Sequence, residues 1–328
     1  MTWRLGTRDS HLARWQAQAV AAQIEAAGGP TCEIVVISTA GDQLQQAPLS
    51  DIGGKRLFVK ELEEALLNGE IDFAVHSAKD MSATMPLGLQ IAATLPREDP
   101  RDAVVLPASS TATFGSGDSA AIVLPALAAA LGSAPRLGTS SVRRVAQLHR
   151  HLPAAEFLPV RGNVDTRLRK LDAGEYDALV LAAAGLRRLD RADRISVALP
   201  PDLCVPAPGQ GIVAIQCHDD GGEVAEFLAA MTDVDAYIAL EAERALVEAL
   251  GGGCQLPLGG FCRMRDDELE LVAVVTALDS DAEVRAIGFG ARAEPVELGK
   301  RVAEQLLQDG ADAILEAVRG YDGPTPDV

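Results

Sequence analysis

The sequence predicts an α/β protein with two α/β units followed by a small α+β domain. A strand-helix-strand pattern opens the chain and recurs from residue 136, and beyond residue 234 strands follow one another directly. The length of 328 residues is about two to three times the usual size of one domain, so two or three domains are expected.

The first α/β unit is predicted from alternating apolar strands and amphipathic helices, with Ser10 placed to cap the first helix. The elements are strands at 3–6, 33–38 and 71–75 and helices at 11–27 and 57–67. The last strand delivers the motif HSAKD, residues 76–80, at its carboxyl end. Ligands bind at that end of the strands in open α/β sheets, so this motif is a candidate for chemistry.

The second α/β unit repeats the pattern after a polar, glycine-rich insert at 107–119, which is predicted to be a linker or a variable loop. Its elements are strands at 136–137, 156–160 and 176–182 and helices at 142–151 and 165–173. A proline-rich crossing segment at 200–211 then leads to a strand at 212–217, which we expect to return to the first sheet.

The third domain is predicted from a helix at 241–250, strands at 269–278 and 283–290, and a long helix near 295–318. Cys254 lies in the loop between the first of these helices and the sheet. The predicted domain boundaries are residues 1–98 with 206–230, residues 99–205, and residues 231–328.

The charge distribution indicates a local anion site on an acidic protein. The formal net charge is −18, yet residues 136–194 carry twelve Lys and Arg against seven Asp and Glu, so this stretch is +5 and the remainder is −23. The overall charge and an aromatic content of 4% disfavour a nucleic-acid binder, because such proteins use basic surfaces and stacking side chains.

The cysteines and the apolar segments favour a protein of the reducing cytosol. The five cysteines are odd in number and form no CxxC pair, and neither they nor the five histidines show metal-ligand spacing, so no metal is expected. The amino-terminal residues show no pattern of an export signal, so export is not expected. The apolar stretch at 120–132 is too short for a membrane span and contains Pro125, so a cytoplasmic location is expected.

The motif GTSSVRR at 138–144 combines a glycine turn, hydroxyl groups, a helix start and two adjacent arginines. Backbone amides at a helix start and guanidinium groups bind carboxylates or phosphates. Arg143 and Arg144 are expected to point to different sides of the helix and therefore to bind two anions. The alternative is a capped surface helix with solvated arginines.

A second basic motif, RGNVDTR at 161–167, places Arg161 in a turn and Arg167 in the first turn of a helix. The helix dipole disfavours a cation there, and a bound anion would explain its presence. The alternative is a surface ion pair with Asp165 or Asp172.

HSAKD places Ser77, Lys79 and Asp80 at the mouth of a buried strand, with His76 as a packed core histidine. A carboxylate in this position suits a reaction that develops a cation, because it stabilises positive charge and passes a proton to a leaving amine. The alternative is an exposed ion pair, which is common and contributes little.

Cys254 lies in the glycine-rich stretch GGGCQLPLGG, on a backbone too flexible to be core. It is either an incidental loop thiol or a nucleophile and attachment point, since thiolates attack electrophilic carbon.

Together these motifs resemble the porphobilinogen deaminase (hydroxymethylbilane synthase) family, transferases of tetrapyrrole, porphyrin and heme biosynthesis. The similarity runs from residue 4 to about 260. It is carried by GTRDSHLARWQ, IGGKRLFVKELEEALLNGEIDFAVHSAKD, REDPRDAVV, GTSSVRRVAQL, RGNVDTRLRKLDAGEYDALVLAAAGLRRL, PAPGQG and GGGCQLPLGG.

The resemblance implies two α/β domains like those of periplasmic binding proteins, which flank a cleft, and a third domain that carries the cysteine. It implies that Cys254 holds a dipyrromethane cofactor through a thioether. Porphobilinogen then loses ammonia to give a methylene-pyrrolenine cation, and the free α-carbon of the growing chain attacks this cation. Four additions and a hydrolysis release hydroxymethylbilane.

The resemblance also implies roles for individual residues, with Asp80 as the catalytic carboxylate. The implied cofactor-binding residues are Cys254, Lys55, Ser77, Lys79, Asp80, Thr139, Ser140, Ser141, Arg143, Arg144, Arg161, Gly162, Arg167, Gln210 and Gly211. The implied substrate-binding residues are Arg8, Ser10, Arg161, Arg167 and Arg188. Porphobilinogen is the implied substrate, a monomer is expected, and uroporphyrinogen-III synthase is the expected downstream partner.

Three positions depart from the family pattern. Arg56 replaces a glycine after Lys55, Ser82 replaces a proline, and Gln216 replaces an acidic residue. None removes a reacting group, so activity is predicted. The alternatives are a binding protein of the same fold that captures a small anion without chemistry, and a homologue that has lost turnover.

Overall fold

The computed structural model describes residues 2–39, 59–114, 119–252, 256–278 and 280–319. Lys55, Arg56 and Cys254 lie outside these ranges, so their predicted roles stay predictions.

The described residues form strands and helices that we number in chain order. The strands are β1 Thr2–Thr7, β2 Thr31–Val36, β3 Phe73–Ser77, β4 Leu89–Thr94, β5 Asp102–Val105, β6 Arg136–Gly138, β7 Glu156–Leu158, β8 Ala178–Ala182, β9 Val197–Ala198, β10 Val213–His218, β11 Leu258–Arg265, β12 Glu268–Thr276 and β13 Glu283–Ala291. The helices are α1 His11–Ala26, α2 Lys60–Leu67, α3 Ala120–Leu131, α4 Val142–His149, α5 Val164–Asp172, α6 Ala183–Arg188, α7 Glu223–Ala230, α8 Val234–Ala249, α9 Pro295–Gln308 and α10 Ala311–Arg319.

The first two sheets have the same architecture. The first has the order β2-β1-β3-β10-β4, with β1 parallel to its neighbours and β10 antiparallel to β3 and β4. The second has the order β7-β6-β8-β5-β9, with β6 parallel to its neighbours and β5 antiparallel to β8 and β9. The return of β10 to the first sheet confirms the sequence prediction.

An equivalent arginine–aspartate pair lies at the amino-terminal ends of the strands in each sheet. Asp72 accepts hydrogen bonds from the Arg4 backbone N–H and Nη2, both at 2.6 Å. Asp177 accepts them from the Arg136 backbone N–H at 2.8 Å and from Nη2 at 2.9 Å. These pairs lie at the amino-terminal ends of the strands in both sheets. The loops that can build a site are therefore those at the carboxyl ends of the strands.

The third domain is an antiparallel sheet of order β11-β12-β13 with α8, α9 and α10 packed on one face. Its core contains Leu246, Leu271, Val302 and Leu306. The helix predicted near 295–318 is two helices, because the chain breaks at Gly310, whose φ of +98° favours glycine. Together with the two five-stranded α/β sheets, this domain confirms the predicted fold class. The domain boundaries stay a prediction.

Sequence patterns did not predict several elements. The apolar stretch that contains Pro125 is the helix α3, which buries Val123 and Leu127. The strands β4, β5, β9 and β11 were also missed; β5 and β9 are only 4 and 2 residues long, which is too short to show a periodicity. No helix of the described chain is both long and apolar enough to cross a membrane.

Because His76 of β3 is buried, we expect the folded protein to lose stability as the pH falls. Burial, assisted by the nearby positive charge of Arg8, lowers the pKa of His76 from 6.5 to about 4. Between these values the unfolded chain takes up a proton that the folded chain does not, so stability falls as the pH falls through this window. At pH 5 the loss from this group is about 2 kcal/mol relative to pH 7.

Replacing His76 by glutamine is therefore expected to reduce the loss of stability between pH 7 and pH 5. Urea unfolding of the wild type and His76→Gln at both pH values measures it. His11→Gln, in an exposed position, is the control and is expected to behave as the wild type. Identical pH dependence of the wild type and His76→Gln would contradict the prediction.

Candidate active site

A cleft lies between the first two sheets, at the carboxyl ends of β1, β3, β6, β7 and β8. Its cationic lining residues are Arg8, Lys79, Arg144, Arg161, Arg167 and Arg188. Among the described lining residues only Asp80 and Asp165 carry a carboxylate. The cleft is thus a cationic site that contains two acidic groups, which suits a ligand with several carboxylates and one cationic centre.

The first sheet contributes residues from the loops after β1 and β3. The Ser10 hydroxyl accepts a hydrogen bond from the Ala13 N–H at 3.1 Å, so the predicted cap of α1 is confirmed. Ser77 lies at the end of β3, where its Oγ accepts a hydrogen bond from the buried Gln16 at 2.9 Å. Lys79 and Asp80 follow in a 3₁₀ turn that projects into the cleft.

The second sheet contributes a cluster of guanidinium groups. Gly162 has a φ of +104°, and its carbonyl oxygen accepts a 2.8 Å hydrogen bond from Arg167 Nε. Burial, together with the positive charges of Arg144 and Arg161, lowers the pKa of Arg167 to about 10. Like charges are therefore crowded at this wall, and a bound polyanion would relieve their repulsion.

The glycine-serine turn of the second unit lies partly outside the cleft. Ser140 lines it and exchanges hydrogen bonds with the Val160 backbone at 2.9 and 3.1 Å. Thr139 is buried, and its Oγ1 accepts a bond from the Ser141 N–H at 3.3 Å. Neither Thr139 nor Ser141 is among the described lining residues, so these two shape the turn.

Arg143 and Arg144 differ from the expectation that they face two separate anions. Both donate to the carboxylate of Asp102, Arg143 through Nη1 at 2.6 Å and Arg144 through Nε at 2.8 Å. Burial alone would raise the pKa of Asp102, but the two guanidinium groups hold it far below its usual range. Their side chains are long enough to converge, so one carboxylate serves both, and of the two only Arg144 lines the cleft.

The crossing segment contributes Gln210 and Gly211 through a turn with two left-handed glycines. Gly209 has a φ of +75°, and a Cβ there would meet the Ala78 and Lys79 backbone at 2.8 Å. Gly211 has a φ of +89°, and its carbonyl oxygen accepts a hydrogen bond from Arg188 Nη2 at 2.7 Å. The turn therefore needs glycine at both positions and packs directly against the HSAKD motif.

Lys79, which precedes the candidate acid Asp80, has a strongly shifted pKa. Burial lowers its pKa to about 8, and the Asp80 carboxylate opposes this change. Its Nζ donates to Gln210 Oε1 at 3.4 Å. Lys79 is thus held beside Asp80 by its hydrogen bond to Gln210.

Two functional positions carried no sequence prediction: Gln16, which holds Ser77, and Asp102, which holds the arginine pair. An acidic residue that opens the apolar run of β5 was the available signal for Asp102. Of the departures from the family pattern, the Ser82 carbonyl accepts a bond from Arg244 at 2.8 Å. Gln216 is buried and donates to Glu63 Oε1 at 3.3 Å.

The different positions of the arginines predict different effects of their removal. Arg143→Leu breaks a buried ion pair and is expected to lower the free energy of unfolding by about 3–5 kcal/mol. Arg161→Leu removes a cleft-lining charge from a crowded cationic wall and is expected to change it by less than about 1 kcal/mol. Urea denaturation of both variants measures the difference, and equal losses would contradict this division.

Two family models match the chain. The first, described as "Porphobilinogen deaminase, dipyromethane cofactor binding domain", covers residues 3–226. The second, "Porphobilinogen deaminase, C-terminal domain", covers residues 237–308.

Curated relatives are similar over nearly their whole length. The porphobilinogen deaminase of Syntrophobacter fumaroxidans is 43% identical over 316 residues, which cover 96% of this chain and 97% of the relative. That of Trichlorobacter lovleyi is 42% identical, with 96% of each chain covered. Among solved structures, immunogenic lipoprotein A from Vibrio vulnificus is 13% identical with a TM-score of 0.41, covering 71% of this chain and 96% of that one.

Proposed function

The chain belongs to the porphobilinogen deaminase family, transferases that carry a dipyrromethane cofactor, and from this premise we propose roles for its residues. We propose that Asp80 is the catalytic carboxylate and that the cationic wall binds the carboxylate side chains of cofactor and substrate. The observation that carries this proposal is Asp80 beside Lys79 in a cleft whose other cationic lining residues are five arginines. Porphobilinogen combines these needs, because it has two carboxylates and one aminomethyl group.

The donor set of the cleft fits the cofactor. Each pyrrole ring carries acetate and propionate groups, and the crowded guanidinium groups of Arg144, Arg161 and Arg167 would bind them through charge-assisted hydrogen bonds. Ser140 supplies a further polar group at the same wall, and Ser77 supplies one on the opposite side of the cleft. When bound, the dipyrromethane supplies the pyrrole α-carbon to which substrate units are added.

Asp80 would act on the substrate where charge develops. As the aminomethyl C–N bond of porphobilinogen breaks, its electron pair leaves with ammonia, and the pyrrole nitrogen becomes part of a cation. The Asp80 carboxylate accepts a hydrogen bond from this nitrogen and stabilises its positive charge. Before the C–N bond breaks, the Asp80 carboxyl passes a proton to the amine, which makes the amine a better leaving group and leaves Asp80 as the carboxylate that stabilises the cation.

Arg8, Ser10 and Arg188 would bind the incoming substrate. Arg8 and Ser10 follow β1, and Arg188 ends α6 on the opposite sheet, so the three line the cleft from both sides. The Arg188 guanidinium also stacks 5.9 Å above the Trp15 ring, which restricts its orientation.

Cys254 would be the attachment point of the cofactor. The four cysteines in the described residues are poor candidates: burial raises the pKa of Cys204, Cys217 and Cys262 to about 12. Cys32 is half-buried on β2, is not among the described lining residues of the cleft, and also has a raised pKa because of burial. A thiolate is needed for alkylation, so all four are disfavoured.

We also propose a monomer that works in the cytosol and passes its linear product to uroporphyrinogen-III synthase. The four described cysteines are free thiols, which supports a reducing compartment. Light scattering of the purified enzyme, with and without that synthase, tests the assembly.

Incubation with porphobilinogen tests the reaction itself. We expect release of one ammonia per substrate consumed, mass species that grow by successive single-unit additions, and release of a linear tetrapyrrole. A non-catalytic anion-binding protein would bind porphobilinogen without releasing ammonia, and that result would refute the proposal.

A further inference from the structure

We propose that Asp102 is a positioning residue of the cleft, which fixes Arg144 directly and Lys79 by way of Gln210. The kinetic part of this proposal rests on the proposed function, whereas the geometric part rests on the contacts alone. Asp102 is fully buried and is not among the described lining residues of the cleft, so it acts through other residues.

Asp102 opens β5 and is fully buried. Its Oδ2 accepts from Arg143 Nη1 at 2.6 Å and from the Cys204 thiol at 3.4 Å. Its Oδ1 accepts from Arg144 Nε at 2.8 Å and from Gln210 Nε2 at 3.0 Å. One carboxylate therefore joins the second sheet to the helix α4 and to the crossing segment.

Arg144 is oriented by two fixed acceptors. Its Nε donates to Asp102, and its Nη1 donates to the Val180 carbonyl oxygen at 2.9 Å. Its Nη2 also lies 2.8 Å from Asp102 Oδ1. A planar guanidinium held in this way has one orientation, and in that orientation Arg144 lines the cleft.

Gln210 transmits the same constraint to Lys79. Its Nε2 donates both hydrogens, one to the Pro100 carbonyl oxygen at 2.7 Å and one to Asp102. Because both amide hydrogens are used on that side, the amide cannot be flipped, and its Oε1 must face the opposite way. There it accepts the hydrogen bond of Lys79 Nζ at 3.4 Å.

The charge of Asp102 acts on Lys79 as well. Burial opposes protonation of Lys79, and so do the positive charges of Arg144 and Arg143 on α4. The carboxylates of Asp80, on its own turn, and Asp102, on β5, favour protonation. Asp102→Asn removes one of the two favourable charges, so it is expected to lower the pKa of Lys79.

Lys79 titration provides a readout that does not depend on turnover. Competitive labelling of amines in the full-length protein, followed by peptide mass spectrometry, gives the pH at which Lys79 is half reactive. We expect this pH to be lower in Asp102→Asn than in the wild type. Asp177→Asn, which breaks the Arg136 pair at the opposite edge of the same sheet, is the matched control and should leave it unchanged.

Steady-state kinetics provide the second readout. In Asp102→Asn the KM for porphobilinogen is expected to rise by about tenfold or more, because a misoriented Arg144 loses charge-assisted bonds to the cofactor carboxylates and no longer fixes the cofactor beside which the substrate binds. The kcat is expected to change less, since Asp80 is not displaced. A purely structural role would instead reduce the fraction of folded enzyme and leave the KM of the folded fraction unchanged.

Gln210→Leu keeps the test decisive if Asp102→Asn fails to fold. It leaves the carboxylate with both arginines and removes the Gln210 hydrogen bonds to Pro100, Asp102 and Lys79, so the Lys79 titration is again expected to move to lower pH. An unchanged Lys79 titration in the folded variants would overturn the proposal. A wild type that consumes no porphobilinogen would refute the proposed function instead, and the labelling result would still decide the role of Asp102.

Discussion

Asp80→Asn is expected to reduce porphobilinogen consumption by about 10²- to 10⁴-fold while the protein folds normally. Asparagine has the size and shape of aspartate, and Asp80 lies half-buried on a short turn, so the substitution removes little packing. What it removes is the negative charge at the position where the substrate develops positive charge. A neutral amide stabilises that cation poorly and cannot hold the proton that leaves with the amine.

Ammonia release at saturating porphobilinogen, together with a thermal melt, measures this effect. Asp165→Asn is the matched control, because it removes the other carboxylate among the described lining residues of the cleft. Asp165 lies 3.3 Å from Arg191 and 3.5 Å from His11 at the cleft mouth, so we expect the control to retain most of its activity. Equal losses in both variants would show that cleft charge alone, and not the position of Asp80, matters.

Cys254→Ala is expected to abolish covalent cofactor attachment completely, and with it all turnover. A thioether needs the sulfur atom, and alanine offers no nucleophile in its place. Intact mass spectrometry after incubation with porphobilinogen should show the bare polypeptide mass for the variant. The wild type should carry an adduct equal to two porphobilinogen units that have each lost ammonia.

Cys32→Ala is the matched control, because Cys32 is the most accessible thiol among the described cysteines. This variant is expected to carry the adduct as the wild type does. A retained adduct in Cys254→Ala would refute the assignment and direct the search to the remaining cysteines. A wild type without an adduct even after incubation would refute the attachment altogether.

The two sheets share a topology but contribute differently to the cleft. After β3 the chain forms the short turn with Lys79 and Asp80, whereas after β8 it continues directly into α6, which ends in Arg188. The corresponding strand ends thus supply a carboxylate on one side and a guanidinium on the other. Under the proposed function, the reaction would then lie on the first sheet and anion binding mainly on the second.

Much of the fold could be predicted from the sequence because it depends on local patterns. The alternation of apolar strands and amphipathic helices predicted both α/β units, and a serine before the first helical residue predicted the cap at Ser10. A strand that follows a proline-rich crossing predicted the return of β10 to the first sheet. The motifs around Asp80, Arg161 and Arg167 likewise predicted which residues the cleft brings together.

The sequence by itself therefore determined the α/β pattern of the first two units, the family and most of the charged groups at the cleft. Only the tertiary structure decided how those groups are paired. Helical geometry separates Arg143 from Arg144, but their long side chains meet at Asp102, which is 41 residues from Arg143 in the chain. Local sequence periodicity cannot identify such a partner, because a buried charge is neutralised by whichever carboxylate the packing of the sheets places beside it.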